Sequence, residues 1–404
     1  MFGFIVPILI DGQGQLIAGH GRLLAAKLLS MTQVPAIKLE HLTEAQIRAF
    51  MIADNRLTEN SVWNEHLLGE QLKALSVIEL DFSVDVAGFE MSEIDLMIEG
   101  LAPAGRGKED PADAIPALEA RSPVTRAGEL WVLDRHRVYC GDARNEKAYS
   151  ELMQRQRATA VFSDPPYNDP IDGYVAGFGK IHHAEFPMAC GEMGTGEFTA
   201  FLTDVLSLLA RHSAPGALQF ICMDWRHAPE LLAAAQQAYT EFKNLCVWVK
   251  DVAGQGSLYR SQHELVFVFK SGKGSHRNNI QLGQFGRYRT NVWQYRRVNS
   301  LARATDESNL SDLHPTIKPV ELVADAILDC TARGDVVLDA FLGSGTTVIA
   351  AERTGRVCYG IELDPRYVDT IVRRWQGFTG QSAIQESTGR PFNEIEEENN
   401  GRAE

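Results

Sequence analysis

Apolar residues in this chain gather into short continuous runs more often than they alternate with polar ones. Runs at 160–163, 217–222, 245–249, 265–269, 336–340 and 358–363 are bounded by turn-forming or charged residues and separated by stretches of helical spacing. A strand buried on both faces reads as such a run, so the pattern predicts a mostly parallel α/β sheet over 127–380. Residues 1–100 read differently. An apolar run at 6–10, the turn residues Asp11, Gly12, Gln13 and Gly14, and a second run at 16–18 predict a hairpin. A helix over 22–29, a strand over 34–39 and a helix over 43–55, with Thr43 as its N-cap, complete a small mixed α/β unit. Residues 101–126 lose both periods and turn to Ala, Pro and Gly, which reads as a linker. The acidic stretch 381–404, almost without apolar residues, reads as a disordered tail.

Composition narrows the function classes. With 404 residues, 45% hydrophobic and 23% charged, the chain is globular, long enough for two or three cores, and not fibrous or wholly disordered. No apolar run approaches the roughly 18–20 residues that span a bilayer, and 1–9 lacks a basic region and a cleavage site, so a cytoplasmic location and no membrane partner are expected. The six cysteines, Cys140, Cys190, Cys222, Cys246, Cys330 and Cys358, form no C-x-x-C pair, so no metal site is expected. A formal charge of −14 argues against a nonspecific nucleic-acid coat. Against that background, 265–305 holds eight basic residues and no acid, with Phe285, Tyr288, Trp293 and Tyr295 interleaved. Such a patch suits phosphate contact and guanine reading, and makes Arg277, Arg287, Arg289, Arg296 and Arg297 candidate DNA-binding residues; a solvated loop is the plainer reading.

Two stretches carry chemistry. From Asp335 to Asp364 a strand containing Asp339 runs into Phe341-Leu342-Gly343-Ser344-Gly345, then a helix from Thr346, then a strand ending at Glu362. Glycines let a backbone approach a nucleotide-like ligand, and an acid at the next strand's tip can accept both ribose hydroxyls. Glu362 stands 19 positions after Gly343. Val348 occupies the third glycine position of a nicotinamide fingerprint, and no phosphate-cradling G-x-x-x-x-G-K-[ST] occurs, so both of those nucleotide readings weaken. The second stretch, Ser163-Asp164-Pro165-Pro166-Tyr167-Asn168, follows an apolar strand. Its prolines remove backbone donors and leave carbonyls, a carboxylate and an aromatic ring at a strand tip, which suits a base with an exocyclic amine. A glycine turn that packs a helix, and a Pro-Pro turn that closes a surface loop, are the plainer readings of each stretch alone.

Together the two stretches resemble the amino-group DNA methyltransferases that use S-adenosylmethionine, with the D-P-P-Y loop ahead of the F-x-G-x-G loop as in their permuted β group. The resemblance covers about 127–378 and implies a Rossmann-like methyltransferase sheet in permuted motif order. It assigns Asp164, Pro165, Pro166 and Tyr167 to catalysis. It assigns Asp142, Ala143, Lys318, Asp339, Phe341, Gly343, Gly345, Thr346 and Glu362 to the cofactor. Asp142 and Ala143 come from Cys140-Gly141-Asp142-Ala143, expected near the adenine. Lys318 comes from His314-Pro315-Thr316-Ile317-Lys318-Pro319, expected at the methionine end. A target-recognition insertion is expected over about 265–310. Residues 1–100 resemble the ParB/sulfiredoxin-like domain fused ahead of such enzymes in phage and mobile elements, on Pro7 to Leu9, Ile17-Ala18-Gly19-His20-Gly21-Arg22, Val34-Pro35 and Ala53-Asp54-Asn55-Arg56. Its opening at Phe2-Gly3-Phe4 reads as an N-terminal truncation, and Gly19-His20-Gly21-Arg22 replaces the Glu-Arg-Arg box that holds CTP, which favours a DNA-positioning or vestigial role.

The implied activity is site-specific methylation of adenine N6 in double-stranded DNA. Cytosine N4 is the alternative, kept open by Ser163. A ParB-like DNA-binding protein with an inactive methyltransferase half, and methylation of a protein glutamine amide, are more distant alternatives. The absence of Pro-Cys and of P-C-x-x-C sets aside cytosine carbon-5 methylation and zinc deamination. A homodimer and a cognate restriction enzyme are compatible partners.

Overall fold

The structure is a computed structural model that describes residues 3–59, 63–78, 84–101, 110–116, 122–168, 191–251, 253, 258–284, 286–296, 298 and 317–401. The chain divides into two compact units, Met1–Leu68 and Gly69–Glu404.

In the first unit, β1 (Ile8–Asp11) pairs antiparallel with β2 (Leu16–Ala18) and parallel with β3 (Ala36–Leu39). The hairpin closes as its composition requires: Asp11 Oδ1 accepts from the Gln13 and Gln15 amides at 2.9 and 2.8 Å, and Gly14 takes φ 84°. Helix α1 (His20–Leu28) begins where Gly19, at φ 96°, turns the chain, and α2 (Glu44–Glu59) starts after Thr43, whose hydroxyl accepts from the Gln46 amide. Helix α3 (Glu65–Val77) carries the chain across the division, and α4 (Met91–Glu99) follows in the second unit.

The second unit is built on a ten-stranded mixed sheet: β4 (Leu130–Leu133), β5 (His136–Cys140), β6 (Ala158–Ser163), β7 (Ser213–Met223), β8 (Glu241–Val249), β9 (His263–Lys270), β10 (Val292–Gln294), β11 (Val336–Asp339), β12 (Val357–Glu362) and β13 (Ile384–Gln385). Their spatial order is β10-β8-β9-β7-β6-β11-β12-β5-β4-β13. The central run β7-β6-β11-β12-β5 is parallel, and β9, β4 and β13 join antiparallel. Successive residues of β6 enter opposite cores: Ala160 and Phe162 pack on one face with Val337 and Val348, Val161 on the other with Leu338 and Phe198. Both faces are thus covered by helices, which explains the continuous apolar runs. Helices α5 (Glu146–Met153), α6 (Thr195–Arg211) and α7 (Ala228–Ala238) cover one face; α8 (Val320–Leu328), α9 (Thr346–Thr354) and α10 (Pro365–Thr379) pack mainly on the other. Among the described residues no helix is long and apolar enough to cross a membrane.

Two expected non-structured segments are ordered where they are described. In 101–126, Asp110 caps a short turn at Pro111–Asp113, Ala112 is buried, and Asp369 of α10 accepts from the Val124 and Thr125 amides at 2.7 and 3.0 Å. The segment lacks periodicity because side chains of the second unit's helices, not its own repeats, satisfy its backbone. The expected tail also folds. β13 pairs with β4, Phe392 is fully buried edge-on to Trp131, and α11 (Phe392–Gly401) follows. Two of its acids meet arginines: Glu396 meets Arg373 at 2.5 Å and Glu398 meets Arg390 at 2.6 Å. One aromatic anchor and two ion pairs order a stretch that composition alone reads as solvated.

Candidate active site

Strand order creates the site. From β6 the chain proceeds outward to β7, and from β11 it proceeds the opposite way to β12, so a crevice opens beyond the C-terminal tips of β6 and β11. These two tips are bonded to each other. Ser163 Oγ donates to Asp339 Oδ1 at 3.0 Å and accepts from the Ala340 amide at 3.2 Å. Asp339 also accepts from the Phe341 amide at 3.0 Å and from Thr347 Oγ1 at 2.7 Å. Burial pushes the Asp339 carboxyl up to about 6, against the pull of those three donors. Three of its roughly four lone-pair directions are used inside the protein, so Asp339 shapes the loop.

The 341–345 loop turns on Gly343 and Gly345, at φ 53° and 83°; a Cβ on Gly345 would stand 3.0 Å from Ile371. Gly345 N-caps α9, and the turn aims the Gly343 amide at Glu362 Oε2, 2.8 Å away. The Asp364 amide donates to the other oxygen at 2.9 Å. Burial lifts Glu362 to about 7 although both amides favour its anion. One strand over, Cys140 lies opposite Glu362 and the Gly141 amide donates to the Glu362 carbonyl at 2.8 Å, which brings Asp142 to the same edge. Asp142 holds Arg144 at 2.7 Å. Phe341 is half-buried, whereas Ala143 and Thr346 are buried. The Ala143 carbonyl accepts from Tyr149 and Thr346 Oγ1 lies near Arg374, so these two support the loops from behind.

This donor set fits S-adenosylmethionine. A carboxylate offers about four lone-pair directions, and the two amides on Glu362 leave the rest for a ribose diol. Left-handed glycines let the 341–345 backbone come close to such a ligand.

At the tip of β6, Pro165 is buried, and Asp164, Pro166 and Tyr167 are half-buried. Tyr167 Oη donates to Asp164 Oδ1 at 2.7 Å. Asn168, at φ 56°, accepts from the Gly191 and Met193 amides and donates to the Met193 carbonyl, tying the loop to the start of α6. Lys318, expected at the methionine end of the cofactor, reaches the catalytic loop. Its ammonium lies 2.5 Å from Asp164 Oδ2, 3.0 Å from Glu264 Oε2 and 5.7 Å from the centre of the Tyr167 ring. Glu264 Oε1 in turn meets Lys250 Nζ at 2.5 Å. Burial raises Glu264, but Lys318 and Lys250 together outweigh it and bring the carboxyl down to about 2. Sequence reading missed Lys250 and Glu264, although a signal existed: an acid inside the apolar strand β9 has to find a buried partner.

The basic patch divides. Arg287 is 5% exposed and meets Asp329 at 2.7 Å and Asp325 at 2.9 Å; Arg289 reaches the same two acids at 3.2 and 2.9 Å. These two candidates face α8, not solvent, because α8 offers two carboxylates one turn apart, which a planar guanidinium matches. Arg277 and Arg296 are exposed. Arg297, Phe285 and His314 lie outside the described residues.

Comparison with known proteins places this geometry. A family model described as DNA methylase matches residues 158–373, and one described as the ParB-methyltransferase HTH domain matches 66–127. The type II methyltransferase M.ScaI of Streptomyces caespitosus is 35% identical over 95 residues, 24% of this chain and 31% of that protein. M.Cfr9I of Citrobacter freundii is 49% identical over 59 residues, 15% of this chain and 20% of its own length. The chain thus spans about a third or less of the length of these relatives. Among solved structures, the M1.HpyAVI–SAM complex is 20% identical with TM-score 0.43, covering 59% of this chain and 97% of that one. The cytosine-N4-specific PvuII DNA methyltransferase is 16% identical with TM-score 0.44, covering 63% and 89%. The first family model spans more than half of the sequence and includes both strand-tip loops: this chain belongs to the DNA methylase family of N6/N4 amino-methyltransferases, whose methyl donor is S-adenosylmethionine.

Proposed function

We propose that this protein methylates the exocyclic amino group of adenine, N6, at a specific site in double-stranded DNA. The observation that carries the reading is the Ser163–Asp339 hydrogen bond between neighbouring strand tips, which sets the Asp164 loop beside the 341–345 loop. A base amino group at Asp164 then faces whatever the glycine loop holds. Glu362 and the 341–345 backbone would hold S-adenosylmethionine, with Asp142 at the same edge. The sulfonium supplies an electrophilic methyl group that needs no metal or enzyme nucleophile.

The chain's own residues have three tasks. Tyr167 offers a ring on which an extruded base stacks, worth about 1–3 kcal/mol and comparable to the few kcal/mol that flipping costs. Asp164 and the Pro165 carbonyl accept the amino hydrogens, which draws the nitrogen lone pair out of conjugation. Asn168 and Ser163 hold the loop still, so that orientation is settled before reaction.

Adenine is favoured over cytosine N4. The serine that would lead a cytosine-type motif commits its hydroxyl to Asp339 and the Ala340 amide, leaving Asp164 as the polar group at the tip. The match of 66–127 to an HTH domain supports a DNA contact outside the catalytic body, and the type II names of the relatives support a cognate restriction enzyme. Single-molecule sequencing of DNA from an expressing host tests the reading. N6-methyladenine at one recurring sequence is expected, N4-methylcytosine would replace adenine by cytosine, and unmodified DNA would overturn the activity.

A further inference from the structure

Asp164, Lys318, Glu264 and Lys250 form a line of alternating charge leading from the catalytic loop into the sheet, with successive contacts of 2.5, 3.0 and 2.5 Å. The line contains two carboxylates and two ammonium groups. Lys318 is 5% exposed and lies on the three-residue stretch before α8; the Val320 amide close by is held by Asp113 Oδ1 at 2.8 Å. A buried lysine with both acids in reach has no solvent to turn to, and its position is set from both sides. The partners of Lys318 lie on β6 and β9 and not in the glycine loop. We propose that Lys318 is a positioning residue for methyl transfer: anchored by Glu264, it holds the Asp164 carboxylate ionised and aimed at the target amino group.

The inference rests on the amino-methyltransferase reading and adds a task for residues that reading does not use. The attacking nitrogen gains positive charge as the methyl group arrives, so an anion at Asp164 stabilises the transition state and a neutral acid does not. Among the described residues, five groups act on or respond to the Asp164 charge. Lys318 favours its anion, Tyr167 donates to it, Glu264 and Asp339 oppose it as like charges, and the buried thiol of Cys222 feels its charge. Burial pushes the Asp164 carboxyl up, and Lys318 is the one cation among these neighbours. Without it, a buried carboxylate would face Glu264 uncompensated.

The test is the pH dependence of kcat for methylation of host-derived DNA by the full-length protein, in Lys318→Met, Glu264→Gln and the double variant. Lys318→Met is expected to acquire an acid limb in which kcat falls roughly tenfold per pH unit and which sets in at higher pH than any in the unaltered protein, while calorimetric affinity for S-adenosylmethionine stays as in the unaltered protein. The double variant removes the like charge as well and is expected to move that limb back to lower pH. Lys318→Arg, which retains the charge, is expected to show no new limb; if the methionine variant does not fold, Lys318→Gln takes its place and is expected to show the same limb. A Lys318→Met profile parallel to that of the unaltered protein, or lost cofactor affinity with an unchanged profile, overturns the proposal. An unaltered protein without methyl transfer overturns the parent reading instead.

Discussion

Glu362 and Asp164 sit at strand tips a few residues from glycine or proline, yet their surroundings ask different things of them. Glu362 is lifted to about 7 by burial, so in the free protein its ionisation is a cost that appears as pH rises from the ordinary carboxylate range through 7. Ribose hydroxyls donate to the anion, so ligand binding has to deprotonate the group below that pH. Calorimetric affinity for S-adenosylmethionine is therefore expected to weaken by up to about tenfold per pH unit below 7. Glu362→Gln should bind more weakly and lose this dependence; a pH-independent native affinity would contradict the assignment. Asp164 bonds to Tyr167 and Lys318, which lie apart from the 341–345 loop in sequence and in hydrogen bonding. Asp164→Ala is expected to lower kcat by at least about 100-fold, the scale of one missing transition-state hydrogen bond, with cofactor affinity nearly unchanged by the same calorimetry.

At the scale of elements, buried ion pairs fix positions that hydrophobic packing leaves free. Helix α4 carries Asp95, 3% exposed, whose oxygens meet both terminal nitrogens of the fully buried Arg356 at 3.0 and 2.7 Å and Arg333 Nε at 3.2 Å. The pair joins a helix of the stretch matched by the HTH model to the start of β12. Removing one partner strands a charge in the interior, so Asp95→Ala is expected to cost about 3–5 kcal/mol in urea unfolding. Replacing all three together, Asp95→Leu with Arg356→Met and Arg333→Met, should cost much less. Arg287 and Arg289 do the same between the basic stretch and α8.

For the whole molecule, a net charge of −14 means that DNA has to be met by local positive charge. With Arg287 turned inward, Arg277 and Arg296 are the exposed candidates in the described part of the patch. Replacing both by alanine is expected to reduce the slope of log affinity against log salt by about 0.9 for each phosphate that is no longer neutralised, read by fluorescence anisotropy at several potassium chloride concentrations. Arg287→Ala should instead lower the melting temperature and leave that slope alone. The opposite pattern would return Arg287 to the DNA surface.

Six of the ten strands of the large sheet, the hairpin near the start and the Thr43 cap were legible because each is set by local spacing: an apolar run of strand length, an Asp-Gly turn, a hydroxyl before a helix. The two loops of the site were legible for the same reason, since proline, glycine and a following acid constrain a backbone wherever it lies. Partnership was not legible. Whether Arg287 is buried against Asp329, whether Lys318 meets Asp164, and whether Phe392 anchors an acidic tail depend on residues far away in sequence. Burial and charge pairing act through space, so only the tertiary structure decided them; the adjacency of β6 and β11, which turns two motifs into one site, is of the same kind.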